Sequence, residues 1–182
     1  MIDCHVLTLP DSPKDWLAQC LDSICHPQVT VHRVDGVIGH VGAGRKMGLA
    51  QGTAPYVTWI DPDDWAEPGA FDRILAELRP DGLCTAETVR LPDGRSELRQ
   101  APELTIHAHN FFMAHHFIVL RRELVTPWLD GLLAWRSHAE FWLMKQITRA
   151  TPLHYLKEPL YNWRIHPGQW HTRCERRELC LL

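Results

Sequence analysis

A chain of 182 residues, 45% apolar and 23% charged, has the make-up of a globular domain with room for one sizeable core. Its formal net charge of -3 excludes bulk electrostatic attraction to nucleic acid. Only local basic runs remain as candidates, "RRE" at 121–123 and "RCERRE" at 173–178, and both read first as solvated helix or tail surface.

In chain order, "CHVLTL" (4–9) reads as a first strand stopped by Pro10. A helix is expected next, with Ser12 as N-cap and Pro13 at its first position. Trp16, Leu17, Cys20, Leu21 and Ile24 fall on one face of it. "VTVHRVDG" (29–36) alternates as a second strand, and the Gly-rich "GVIGHVGAGRKMG" leads into a short helix at 45–51. "YVTWI" (56–60) is a third strand, and 69–79 an amphipathic helix. Beyond it, 83–91 and "RSELRQ" form a hairpin around a "PDG" turn, and "HHFIVL" (115–120) is a strand. Residues 137–150 read as a helix, and 153–166 as a strand pair or a strand and loop. Strands alternating with helices predict an α/β fold with a mixed, mostly parallel sheet.

No run approaches the ~20 apolar residues of a membrane span. The N-terminus reads as lacking a signal peptide, so the expectation is a cytoplasmic protein with reduced thiols. Cys4, Cys20, Cys25 and Cys84 are expected to be small buried hydrophobes. The 12 histidines show no zinc spacing. The His-rich "HAHNFFMAHHF" (107–117) is left as a source of acceptor contacts.

The chemistry concentrates in "YVTWIDPDDWAEPG" (56–69), which places Asp61, Asp63 and Asp64 directly behind an apolar strand. Ligands of open α/β sheets bind at the carboxyl ends of strands. Crowded carboxylates are tolerable there when a hard divalent cation offsets their repulsion, and Mg²⁺ is usually shared between carboxylates and phosphates. The bland alternative is an acidic, helix-capping turn before Pro68.

Around this cluster the sequence resembles glycosyltransferase family 2, nucleotide-sugar transferases of the GT-A fold. "GRKMG" (44–48) stands where the family has an Arg-Asn-x-Gly segment, with Lys46 in place of Asn. "DPDD" matches its D-x-D-D, residues 7–24 its first strand and helix, and "VHRVDG" its second strand. "AEFWLMKQITRATPLHYLKEPLYNWRIH" (139–166) matches its late helix and ending.

The resemblance implies one GT-A domain over 1–182, with a nucleotide-binding half at about 1–80, an acceptor half at about 81–170 and a tail at 171–182. It implies a metal-dependent, inverting transfer of a sugar from a nucleotide-sugar, UDP-linked by expectation, with Mn²⁺ or Mg²⁺ as cofactor. Asp63 and His166 would ligate the metal. Asp61 would support the ribose or the metal, with Asp64 as a third carboxylate. Thr8, Pro10, Asp35, Arg45 and Arg164 would contact the nucleotide or diphosphate. The family's Glu-Asp pair is here Ala139-Glu140, which makes Glu140 the base. Trp65 and Trp170 are candidates to stack on a sugar or base, and Gly36, Gly39, Gly42 and Gly44 to let backbone approach the nucleotide.

The acceptor is expected to be a glycan or glycolipid precursor or, in a small bacteriophage-type member, a hydroxymethylated DNA base, with no obligate protein partner. The rival readings are a nucleotidyltransferase of the same fold and a degenerate nucleotide- or glycan-binding domain.

Overall fold

A computed structural model describes residues 1–114 and 116–169. His115, Trp170, Cys174, Cys180, the 171–182 tail and its basic run at 173–178 lie outside the described residues. The elements are β1 (Ile2–Thr8), α1 (Lys14–Ser23), β2 (Val29–Asp35), α2 (Val41–Leu49), β3 (Tyr56–Trp59), β4 (Trp65–Ala66) and α3 (Ala70–Glu77). There follow β5 (Gly82–Arg90), β6 (Ser96–Arg99), β7 (Thr105–Ile106), β8 (Ile118–Arg121), α4 (Arg122–Val125), α5 (Ala139–Ala150) and β9 (Leu153–Arg164).

One sheet runs in the order β2-β1-β3-β8-β5-β9-β4, with β6 on β5 and β7 on β9. β1 pairs in parallel with β2 and β3, and β5 with β9, while β8 is inserted antiparallel between β3 and β5. The expected mixed, mostly parallel sheet is therefore present along its main path.

Period-two alternation divides the core into two layers. Ile2, Cys4 and Val6 of β1 pack with Cys20 and Ile24 of the α1 region and Phe71 and Ile74 of α3 on one face. Val57 and Trp59 of β3 pack with Leu143, Met144 and Ile147 of α5 on the other. The alternate β1 residues, Asp3 and His5, are buried and polar, so they need internal partners. Asp3 receives His32 Nε2 and Ala54 N–H, each at 2.8 Å, and pairs with Arg122.

Several local expectations are corrected. Ser12 does not cap α1: its Oγ accepts from Leu9 N–H at 3.0 Å, closing the strand-to-helix turn, and Pro13 holds the cap position. Cys25 is exposed, unlike Cys4, Cys20 and Cys84. The second helix starts earlier than 45, because the His40 ring accepts from Ala43 N–H at 3.1 Å and caps it inside the Gly-rich stretch. Residues 153–164 form one strand despite Pro159, which sits where the register on β5 shifts near Ala86.

The glycines of α2 serve packing. A Cβ on Gly42 would lie 2.0 Å from the Leu132 carbonyl oxygen, and one on Gly44 3.1 Å from Leu7. Their small size lets α2 press against the 3-10 segment Asp130–Ala134 and against β1, which carries Arg45 inward.

Candidate active site

β3 ends at Trp59, and the chain turns through Asp61–Asp64, with Asp64 N–H donating to the Asp61 carbonyl at 3.0 Å. β4 then docks antiparallel on the end of β9, Trp65 opposite Asn162. That docking brings a motif about one hundred residues downstream against the acidic turn. Asp64, only 2% exposed, accepts from Tyr161 Oη at 2.7 Å and from Arg164 N–H at 2.8 Å. His166 Nε2 lies 2.8 Å from Asp63 Oδ2.

Arg45 joins the acidic turn to α5. Its guanidinium is 4% exposed, ion-pairs with both Asp61 and Glu140, and lies 5.5 Å over the Trp59 ring. Its Nη1 is buried without a hydrogen-bond partner among the described residues.

These groups line a cavity of about 580 Å³. Asp61, Asp63, Asp64, Arg45, Glu140 and His166 all reach it. Thr8, Pro10 and Asp35 do not; their neighbours Leu9, Asp11 and Gly36 do. Thr8 and Asp35 face each other in register at the ends of β1 and β2, with Asp35 and Pro10 exposed. Arg164 stands behind the turn, its guanidinium 4.6 Å from the Trp16 ring and 4.8 Å from the Trp65 ring. It donates to the Asp63 carbonyl at 2.8 Å and to Gln19 at 2.6 Å, so it braces the acidic turn from outside the cavity. Trp16 lines the cavity and meets His166 edge-on at 4.7 Å, whereas Trp65 packs behind, between Arg90 and Arg164.

His116 reaches the same cavity, a placement that sequence spacing does not reveal. It comes from the turn before β8 and lies flat on Tyr161, with ring centroids 5.1 Å apart and planes 8° apart. Its Nδ1 is 2.7 Å from Glu87, a buried carboxylate in the middle of β5. The signal available in the sequence was an acidic residue in a strand that is otherwise uncharged up to Arg90.

Electrostatics mark the cluster as cation-seeking. Burial, then the Asp61 charge, raises the Asp63 carboxyl above its usual range despite His166. Burial, then Asp63, raises Asp64 well above it. Burial pulls the His116 imidazole down, but Glu87, Asp64 and Asp61 outweigh it and leave it raised. Asp61, Asp64 and His116 can each present one ligand atom within 4.8 Å of the others. Oxygen donors with an imidazole fit Mn²⁺ or Mg²⁺, and a cation would relieve the repulsion that raises the carboxyls.

No family model and no curated protein matches the chain. Solved structures do. S. aureus TarS 1–349 in complex with UDP-GlcNAc is 12% identical with a TM-score of 0.67, over 96% of this chain and 61% of that one. TarS 1–349 in complex with UDP is 12% identical at 0.61, over 91% and 61%. The bifunctional IspDF of Campylobacter jejuni is 12% identical at 0.50, over 86% and 49%. The fold is GT-A-like. The chain spans about three fifths of the TarS 1–349 length. No described helix is long and apolar enough to cross a membrane.

Proposed function

We propose that the protein is a nucleotide-sugar-dependent glycosyltransferase that works by one direct, inverting displacement. The observation that carries this reading is the convergence of the Asp61–Asp64 turn, Arg45, His166 and Glu140 on one cavity at the carboxyl ends of β1 and β3. The fold shared with a structure holding UDP-GlcNAc supports a UDP-sugar as donor.

Asp63, His166 and the neighbouring carboxylates would hold Mn²⁺ or Mg²⁺, which when bound would supply positive charge against a diphosphate leaving group. Arg45 fixes Asp61 on one side and Glu140 on the other, so the nucleotide end and the acceptor end of the cavity are tied by one buried guanidinium. Glu140, on the first turn of α5, accepts the proton of the attacking hydroxyl. Leu9 and Gly36 stand where the nucleoside enters, beside Thr8, Pro10 and Asp35. The acceptor class is a glycan or glycolipid precursor, or a hydroxymethylated base of bacteriophage DNA, and the protein would act in the cytoplasm. A nucleotidyltransferase stays in view because the IspDF match shares the fold.

The test is thermal unfolding with UDP, GDP, CDP and dTDP and with the four corresponding triphosphates, each with and without Mn²⁺, on the wild type and Asp63→Ala. A ligand bound only by the native state at about 100 times its Kd stabilises by ~2.7 kcal/mol. The expected result is a Mn²⁺-dependent rise with UDP that Asp63→Ala loses. No rise with any diphosphate overturns the reading, and a rise with a nucleoside triphosphate alone transfers it to the nucleotidyltransferase class.

A further inference from the structure

The Glu87–His116 pair is not explained by the acidic motif or by the chain's ending. Glu87 lies inside β5, where a charge is costly unless paired. It holds His116 Nδ1 at 2.7 Å and is approached by Arg99 at 3.4 Å. Tyr161 lies parallel beneath the imidazole, and Tyr161 Oη in turn holds Asp64. Trp163 flanks the ring at 5.0 Å. The Tyr161 ring and the Glu87 contact thus set the ring plane, and an acceptor carboxylate at Nδ1 favours a proton there, so a metal would take Nε2.

A carboxylate behind a histidine that shares a cavity with two carboxylates is the arrangement by which proteins orient an imidazole on a metal. The ligand atoms of Asp61, Asp64 and His116 lie within 4.8 Å of one another. Ligand bonds of about 2.0–2.2 Å put adjacent ligands about 3 Å apart and opposite ones a little over 4 Å, so closing on one ion would draw these atoms inward.

We propose that His116 is a nitrogen ligand of the divalent cation at the Asp61–Asp64 turn, that Glu87 is its positioning residue, and that this imidazole biases the site toward Mn²⁺ over Mg²⁺. An all-oxygen set suits Mg²⁺, whereas imidazole favours the softer transition ion. The inference rests on the metal-dependent reading above and assigns one more residue to that site.

The experiment is Mn²⁺ binding by electron paramagnetic resonance, in the presence of UDP, on the wild type, His116→Gln, Glu87→Gln, His166→Gln and Asp63→Ala. Nitrogen hyperfine spectra of the bound ion are recorded from protein labelled with ¹⁵N-histidine, and Mg²⁺ competition gives the selectivity. Circular dichroism reports folding of each variant. The expected result is a wild-type nitrogen signal that His116→Gln reduces or removes, with at least a tenfold loss of Mn²⁺ affinity and a smaller loss for Mg²⁺. Glu87→Gln is expected to weaken Mn²⁺ by about 10–100-fold. A nitrogen signal that survives in His116→Gln and disappears only in His166→Gln overturns the proposal, as does a wild-type ion without nitrogen coupling. In both cases the metal-dependent reading stands if Asp63→Ala abolishes binding. No Mn²⁺ bound by the wild type even with UDP overturns both. If His116→Gln does not fold, a nitrogen signal that persists in His166→Gln and a weakened Mn²⁺ affinity of Glu87→Gln support the proposal, and their absence overturns it.

Discussion

Replacing Gly42 and Gly48 of α2 by alanine, one at a time, separates packing from helix propensity. Both positions lie in the same helix, and both substitutions gain up to ~1 kcal/mol of intrinsic helix propensity. They differ in what the new methyl meets. At Gly42 it would be 2.0 Å from the Leu132 carbonyl oxygen and 2.5 Å from that of Trp135, against 3.4 Å for ordinary contact. Both obstacles are backbone, so no rotamer change relieves them. The same residue donates N–H to the Trp135 carbonyl at 3.0 Å, and moving the helix away strains that bond. Overpacking of this kind costs typically ~1–3 kcal/mol, and two backbone clashes put it at the upper end. After the propensity gain, Gly42→Ala is expected to lose about 2 kcal/mol, or roughly 4–8 °C in Tm for a chain of this size. At Gly48 the nearest atom is His5 Cβ at 3.3 Å, a contact a few tenths of an ångström of adjustment can absorb. Gly48→Ala is therefore expected to be within about 0.5 kcal/mol of wild type. Urea unfolding with an unchanged m-value is the assay. Arg45 follows Gly42 by three residues, and a displacement of about 1 Å can cost ~100-fold in rate. Turnover of Gly42→Ala should then fall more than its UDP affinity. The reasoning is refuted if Gly42→Ala is as stable as Gly48→Ala.

Three further outcomes are expected. Glu140→Gln should keep Mn²⁺-dependent UDP binding while turnover falls about 10²–10⁴-fold, and turnover equal to wild type would remove Glu140 as the base. Burial lowers the His5 imidazole to about 4 from 6.5, partly opposed by the Thr58 and Gln51 carbonyls beside its two nitrogens, to only one of which the neutral ring can donate. The folded state holds the neutral ring, so its contribution is complete above pH 6.5 and is lost as pH falls from 6.5 to about 4. The loss attributable to it is about 3 kcal/mol, read as the difference between the pH–stability curves of wild type and His5→Asn, and parallel curves would contradict it. Asp3→Ala leaves the part-buried Arg122 guanidinium without its carboxylate and should cost about 2–4 kcal/mol in urea unfolding, less than for a fully buried pair because water reaches Arg122. A loss under about 1 kcal/mol would mean that water or another group replaces Asp3.

Much of the first eighty residues was legible because their signals are local. The β1 and β3 runs are short and mostly apolar, α3 has a clear apolar face, and the "DPDD" turn follows the strand that aims it. Resemblance carried the reading further, to Arg45, Glu140 and His166, and all three line the same cavity as the acidic turn. Local signals failed where a residue's partner was distant in the chain. Ser12 looks like a helix cap until Leu9 N–H claims its hydroxyl. Gly42 looks like part of a ligand loop until the 130–134 segment occupies the space beside it, whereas Gly36, Gly39 and Gly44 line the cavity. Arg164 looks like a diphosphate contact, yet Trp16 and Trp65 hold its guanidinium outside the cavity.

What the sequence by itself determined was the strand and helix alternation and the presence of an acidic turn at a strand end, since both are written in neighbouring residues. Only the tertiary structure decided which groups that turn meets. The β4–β9 pairing brings Tyr161, Arg164 and His166 to it, and the Glu87 bond fixes His116 beside it. Those contacts join residues 29 to 103 positions apart, so no periodicity or spacing encodes them. They exist because buried carboxylates must find partners wherever the sheet brings them within reach.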